Sequence, residues 1–162
     1  MASSLAPTGH PTPTASQSTD SRSTATQATA TQELSILLYS DDCDTRAAVR
    51  MAVGRRPATD LPAVTWTECA TPAAVLSAVD AGGIDLLVLD GEAVPAGGLG
   101  LCKQLKDEIL RCPPVLVITG RPQDAWLAAW SRADAAVPHP LDPVALAEAV
   151  AGLARRRTGL TA

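Results

Sequence analysis

The 162-residue chain has no phenylalanine, one tyrosine and three tryptophans. So few rings exclude the stacked aromatic platform on which proteins hold single-stranded nucleic acid. An excess of positive charge is lacking too: 13 Lys and Arg against 17 Asp and Glu leave a formal charge of −4, which argues against non-specific binding to phosphate backbones. No run approaches the ~20 apolar residues of a membrane-spanning helix, and the N-terminus has no apolar core of a secretion signal. These absences point to a cytoplasmic protein with no nucleic-acid partner and no direct membrane insertion. The four cysteines, Cys43, Cys69, Cys102 and Cys112, include no C-x-x-C pair. Neither a disulfide framework nor a zinc site is signalled, and the cysteines read as small buried apolar residues.

What the chain does have is aliphatic: 46% of it is hydrophobic, mainly Ala, Leu and Val, enough to fill one core. Its composition shifts near Glu33. The first 33 residues hold 14 Ser or Thr and three Pro, with Asp20, Arg22 and Glu33 as the only charges. Such a stretch buries too little apolar surface to offset the entropy of ordering it, so residues 1–33 are expected to be a disordered Ser/Thr/Ala-rich extension. Residues 34–157 form the folded body, and residues 158–162 a short tail.

Within the body, short apolar runs alternate with segments of helical spacing. The runs are Leu34 to Tyr39, Val64 to Cys69, Ile84 to Leu89, Val115 to Ile118 and, more weakly, Ala135 to Val137. Thr71-Pro72 and Asp142-Pro143 each place a capping side chain before Pro at the first helical position. Apolar stripes at helical intervals predict inward faces at Val75, Ala78 and Val79, at Leu101, Leu105 and Ile109, and at Val144, Ala147, Val150, Ala151 and Ala154. Five βα units with central strands apolar on both faces predict a doubly wound α/β fold, a five-stranded parallel sheet covered by helices on each side.

In open parallel sheets the chemistry gathers beyond the carboxyl ends of the strands. There the sequence places Ser40-Asp41-Asp42 after the first run, Asp90 after the third, Thr119-Gly120 after the fourth and His139-Pro140 after the fifth. Carboxylates from two strands suit a hard cation such as Mg²⁺, and a hydroxyl with an imidazole suits a phosphoryl group. Each residue also has a plainer reading: Asp42 or Asp44 can cap the first helix, and Asp90 can terminate its strand.

Ile36-Leu37-Leu38-Tyr39-Ser40-Asp41-Asp42, Leu86-Leu87-Val88-Leu89-Asp90, Val117-Ile118-Thr119-Gly120 and Val137-Pro138-His139-Pro140 together resemble the receiver domain of bacterial response regulators over the whole body. The resemblance implies a flavodoxin-like fold. It also implies a two-component signalling role in which Asp90 accepts a phosphoryl group from a histidine kinase. Thr119 and His139 would contact that group. Asp41 and Asp90, with Asp42 as a second candidate, would hold Mg²⁺ together with Glu92, which stands where the family's backbone carbonyl binds the metal. Arg46 matches a basic residue common in the family's first helix.

The sequence also departs from the family. Ser40 stands at one position of the acidic pair, His139 replaces a Lys, and Ala136 stands where a rotating aromatic usually reports phosphorylation. Pro95 comes one residue later than usual. These departures describe an atypical receiver. No DNA-binding output segment is recognisable, so output is expected through contacts with another protein. The alternative is a degenerate receiver that serves as a constitutive subunit of a larger protein assembly. A remoter one is a haloacid-dehalogenase-like phosphatase, suggested by Asp90-Gly91-Glu92-Ala93-Val94 with Thr119. That reading lacks a catalytic Lys and a late acidic pair, and not being an enzyme is the expectation.

Trp126 and Trp130 lie four residues apart, hence on one side of the fourth helix. If Ala128 and Ala129 pack inward, as the resemblance implies, both indoles face solvent and mark a partner-binding surface; if the helix rolls, they cover the sheet. Gly97-Gly98-x-Gly100 lacks the context of a dinucleotide loop and reads as room for the chain to turn.

Overall fold

The computed structural model describes residues 33–159, so the expected disorder of residues 1–33 falls, save Glu33, outside the described residues, as do tail residues 160–162. The strands are β1 (Leu34–Tyr39), β2 (Val64–Cys69), β3 (Leu86–Asp90), β4 (Val115–Thr119) and β5 (Ala135–Pro138). The helices are α1 (Cys43–Val53), α2 (Pro72–Ala81), α3 (Gly98–Glu108), α4 (Ala125–Trp130) and α5 (Pro143–Thr158), with a 3-10 turn at Pro122–Asp124 before α4. All strands pair in parallel, as the βα alternation predicts, and their order is β2-β1-β3-β4-β5.

Alternate strand residues face opposite layers. Ile36, Leu38, Leu86, Val88, Leu116 and Ile118 pack with Val49 and Val53 of α1 and with α5. Leu37, Tyr39, Leu87, Leu89, Val115 and Val117 pack with Val75 of α2 and Leu101, Cys102 and Leu105 of α3. The central strands β3 and β4 are buried throughout, which is why they read as continuous apolar runs.

Both expected caps form: Thr71 Oγ1 accepts from the Ala74 N–H at 3.3 Å, and Asp142 Oδ1 accepts from the Val144 N–H at 2.8 Å. Three details differ from the sequence reading. The third strand begins at Leu86, because the Asp85 side chain accepts the Ser35 N–H at 3.0 Å and so takes a ladder position itself. In α5 the buried face is Leu146, Val150, Ala151, Leu153 and Ala154, while Val144 lies out in solvent. The longer leucines bury more apolar surface than Val144 would, and they set the helix's rotation. Finally, Gly98 and Gly100 lie inside α3, where Gly98 serves close packing and not a turn: a Cβ there would stand 2.6 Å from the Asp90 carbonyl oxygen.

Candidate functional site

The carboxyl ends of β1, β3 and β4 bring Ser40, Asp90 and Thr119 together at one edge of the sheet, all three buried. Asp90 ends β3 and is only 4% exposed. Its carboxylate has protein donors on both oxygens: the Ser40 hydroxyl donates to Oδ2 at 2.7 Å, and the Glu92 N–H donates to Oδ1 at 3.0 Å.

Ser40 is fixed in turn. Its Oγ accepts the Asp42 N–H at 3.2 Å, and its carbonyl accepts from Arg46 Nη1 at 2.6 Å. Arg46 is braced by Glu68 of β2 at 3.1 Å, and Glu68 also pairs with Arg50 at 2.8 Å. The basic residue of the first helix therefore holds the β1 end in place. Local sequence does not reveal this Arg46–Glu68 brace, because it depends on the pairing of β2 with β1 that brings Glu68 near.

Asp42 caps α1, accepting from the Asp44 N–H at 3.0 Å and the Thr45 hydroxyl at 2.9 Å. The Asp44 N–H and the Thr45 hydroxyl, in that order, hold its carboxyl below the usual range. The plainer reading of Asp42 thus describes its place. Asp41 is exposed beside Tyr39. Burial pushes the Tyr39 phenol up, and the charges of Asp41 and Asp90 add to this; its hydroxyl donates to the Ala96 carbonyl at 2.6 Å.

The exposed Glu92 extends its carboxylate over Gly120, where a Cβ would meet Oε1 at 2.5 Å. Thr119 Oγ1 donates to the Arg121 carbonyl at 3.3 Å. His139 is half-buried after β5, its N–H donating to the Thr119 carbonyl at 2.8 Å, with a cis peptide to Pro140. The ends of β1, β3, β4 and β5 thus lie along one edge of the sheet, with the His139 backbone tied to Thr119.

A divalent cation fits this donor set poorly. Among the described residues, no group of three or more Asp, Glu, His or Cys side chains is placed to hold a metal, and no buried side-chain N or O lacks a partner. Of the acids near Asp90, Asp42 turns its carboxylate to the α1 cap and Glu92 to Gly120, while Asp41 is exposed to solvent.

Trp126 and Trp130 are 66% and 54% exposed, on a helix anchored through buried Ala128. Ala129, expected to pack inward, is exposed, because a helix this short presents one narrow face to the sheet. A groove of about 660 Å³ lies elsewhere, between α1 and α5, lined by Ala52, Ala58, Pro143, Val144 and Ala151 among others. Cys69 and Cys102 are buried as expected, whereas Cys43 is exposed at the start of α1. No helix among the described residues is long and apolar enough to cross a membrane.

No family model matches the chain. It is 57% identical over 122 residues to an uncharacterized response regulatory protein of Mycobacterium tuberculosis, present in two strains; the match covers 75% of this chain and 92% of the relative. In fold it is similar to a CheY-like response regulator receiver domain protein from Methanospirillum hungatei (TM-score 0.63, 18% identity, 80% of this chain and 100% of that one). It is similar also to the receiver domain of the Francisella response regulator 1452 (TM-score 0.64, 17% identity, 75% and 97%). The strand order, the buried aspartate at the end of β3 and the close relatives agree, and the chain belongs to the response-regulator family of two-component signalling, its α/β body being a receiver domain.

Proposed function

We propose that this receiver acts by binding another protein through the α4 face, in the cytoplasm, and that the contact does not wait on phosphorylation of Asp90. The observation that carries the reading is the pair of exposed indoles, Trp126 and Trp130, on one side of a helix whose opposite side is held to the core by Ala128. Two large rings left in solvent side by side on one helix face are characteristic of binding hot spots. The switch parts favour constitutive binding. Ala136 offers no ring to rotate, and both Asp90 oxygens are already engaged by Ser40 and Glu92. The role is binding and not turnover, within a larger protein assembly.

A second reading, phosphorylation of Asp90 by a histidine kinase, is favoured by the convergence of Asp90, Thr119 and His139 at the strand ends. Incubation with a small phosphodonor and Mg²⁺, followed by intact-protein mass measurement, separates the two. The constitutive reading expects no phosphoryl adduct. An adduct on the wild type that D90N cannot form overturns it in favour of the switch.

A further inference from the structure

The receiver family implies a divalent cation beside the β3 aspartate, and the residues of this pocket disagree with it. A hard cation such as Mg²⁺ needs carboxylate oxygens free to turn toward it at about 2.0–2.1 Å in octahedral array. Here Asp90 Oδ2 accepts the Ser40 hydroxyl at 2.7 Å and Oδ1 accepts the Glu92 N–H at 3.0 Å. Ser40 is fully buried and cannot readily swing aside, because Arg46 grips its carbonyl and the Asp42 N–H its hydroxyl oxygen. Of the neighbouring acids, Asp42 is bound to the first turn of α1 and the Glu92 carboxylate lies over Gly120, which leaves the solvent-exposed Asp41 as the single acid at the β1 end, where a carboxylate at position 40 would make a pair.

We propose that Ser40 takes the cation's place. Its neutral hydroxyl holds the Asp90 carboxylate in the pocket, the domain keeps its fold and its site without divalent metal, and the identity of residue 40 decides this. A carboxylate at position 40 would stand against Asp90, and two buried carboxylates repel unless a cation lies between them. Ser40→Asp therefore converts the pocket into a divalent-cation site. The inference rests on the receiver fold and is independent of whether α4 binds a partner.

The full chain is titrated with Mn²⁺ as a paramagnetic probe while backbone amide resonances are followed, and the melting temperature is measured with and without millimolar Mg²⁺. The wild type is expected to show no selective broadening around residues 40, 90 and 119 and no Mg²⁺-dependent melting shift. S40D is expected to broaden there, with at least a tenfold gain in affinity over the wild type and a melting temperature raised by Mg²⁺; S40D/D90N is expected to lose both effects. Selective broadening of the wild type at those residues overturns the proposal. So does a folded S40D that binds no better than the wild type, or an unfolded S40D that Mg²⁺ does not restore. Retention of the α4 partner does not bear on these outcomes, so failure of one reading is distinguishable from failure of the other.

Discussion

Ser40 Oγ donates to Asp90 Oδ2 at 2.7 Å inside the sheet's carboxyl edge, joining the ends of β1 and β3 through side chains buried from solvent. Removing the donor leaves a buried carboxylate oxygen without that partner. S40A is expected to lose about 1–3 kcal/mol of stability, read from urea unfolding at neutral pH. An unchanged unfolding midpoint would show that water replaces the hydroxyl at no cost.

Two glycines of α3 should respond in opposite directions. At Gly98 a Cβ would lie 2.6 Å from the Asp90 carbonyl oxygen and 2.8 Å from its carbon, both backbone atoms that cannot give way without moving β3. G98A is expected to cost about 1–3 kcal/mol through overpacking. Gly100 has open space around its Cβ position within the same helix, so G100A is expected to stabilise by about 0.5–1 kcal/mol. Thermal melts of both variants check the pair.

Acid should release one long-range tie. Asp60 accepts two hydrogen bonds from Arg155, both at 2.8 Å, joining the α1–β2 connection to α5. The Arg155 guanidinium holds the Asp60 carboxyl down to about 2, from an ordinary value of 3.8. A depressed carboxyl stabilises the fold above its unfolded value and loses that contribution as pH falls through the folded value. The tie is therefore present at neutral pH and fades between about 4 and about 2, and its exposure keeps the effect small. Urea unfolding of the wild type and D60N should differ at pH 7 and converge at the acid end of that window.

Thiol labelling should sort the cysteines by burial. Cys43 is exposed, Cys112 is half-buried, and Cys69 and Cys102 are buried. Burial pushes the Cys102 thiol up to about 11 and raises Cys69 and Cys112 as well. Alkylation of the native protein at neutral pH is expected to mark Cys43 first and Cys112 more slowly. Cys69 and Cys102 should be marked only on unfolding, as peptide mapping would resolve.

The fold was legible because its signals are local. Central strands buried on both faces read as apolar runs, and Thr71-Pro72 and Asp142-Pro143 mark helix starts through residues adjacent in sequence. Ser40, Asp90, Thr119 and His139 could be gathered on paper because parallel strands all end at one edge. What the sequence withheld depends on contacts between distant elements. The rotation of α5, which hides Leu146 and Leu153 and exposes Val144, is decided by the sheet it packs on. Gly98 reads as a turn residue until the Asp90 carbonyl is seen beneath it. The choice between Asp41 and Asp42 likewise needed the α1 cap, which draws Asp42 onto the helix and leaves Asp41 in solvent.

Affinity capture of partners from the source cell's lysate, with wild type, D90N and W126A/W130A as matched baits, tests the central claim most directly. Because both indoles are largely exposed, their truncation should shift stability by no more than about 0.5 kcal/mol each, and circular dichroism should be unchanged. The expected result is one protein partner held equally by the wild type and D90N and lost by W126A/W130A. A partner retained by the folded double tryptophan variant, or lost with D90N, would contradict the account.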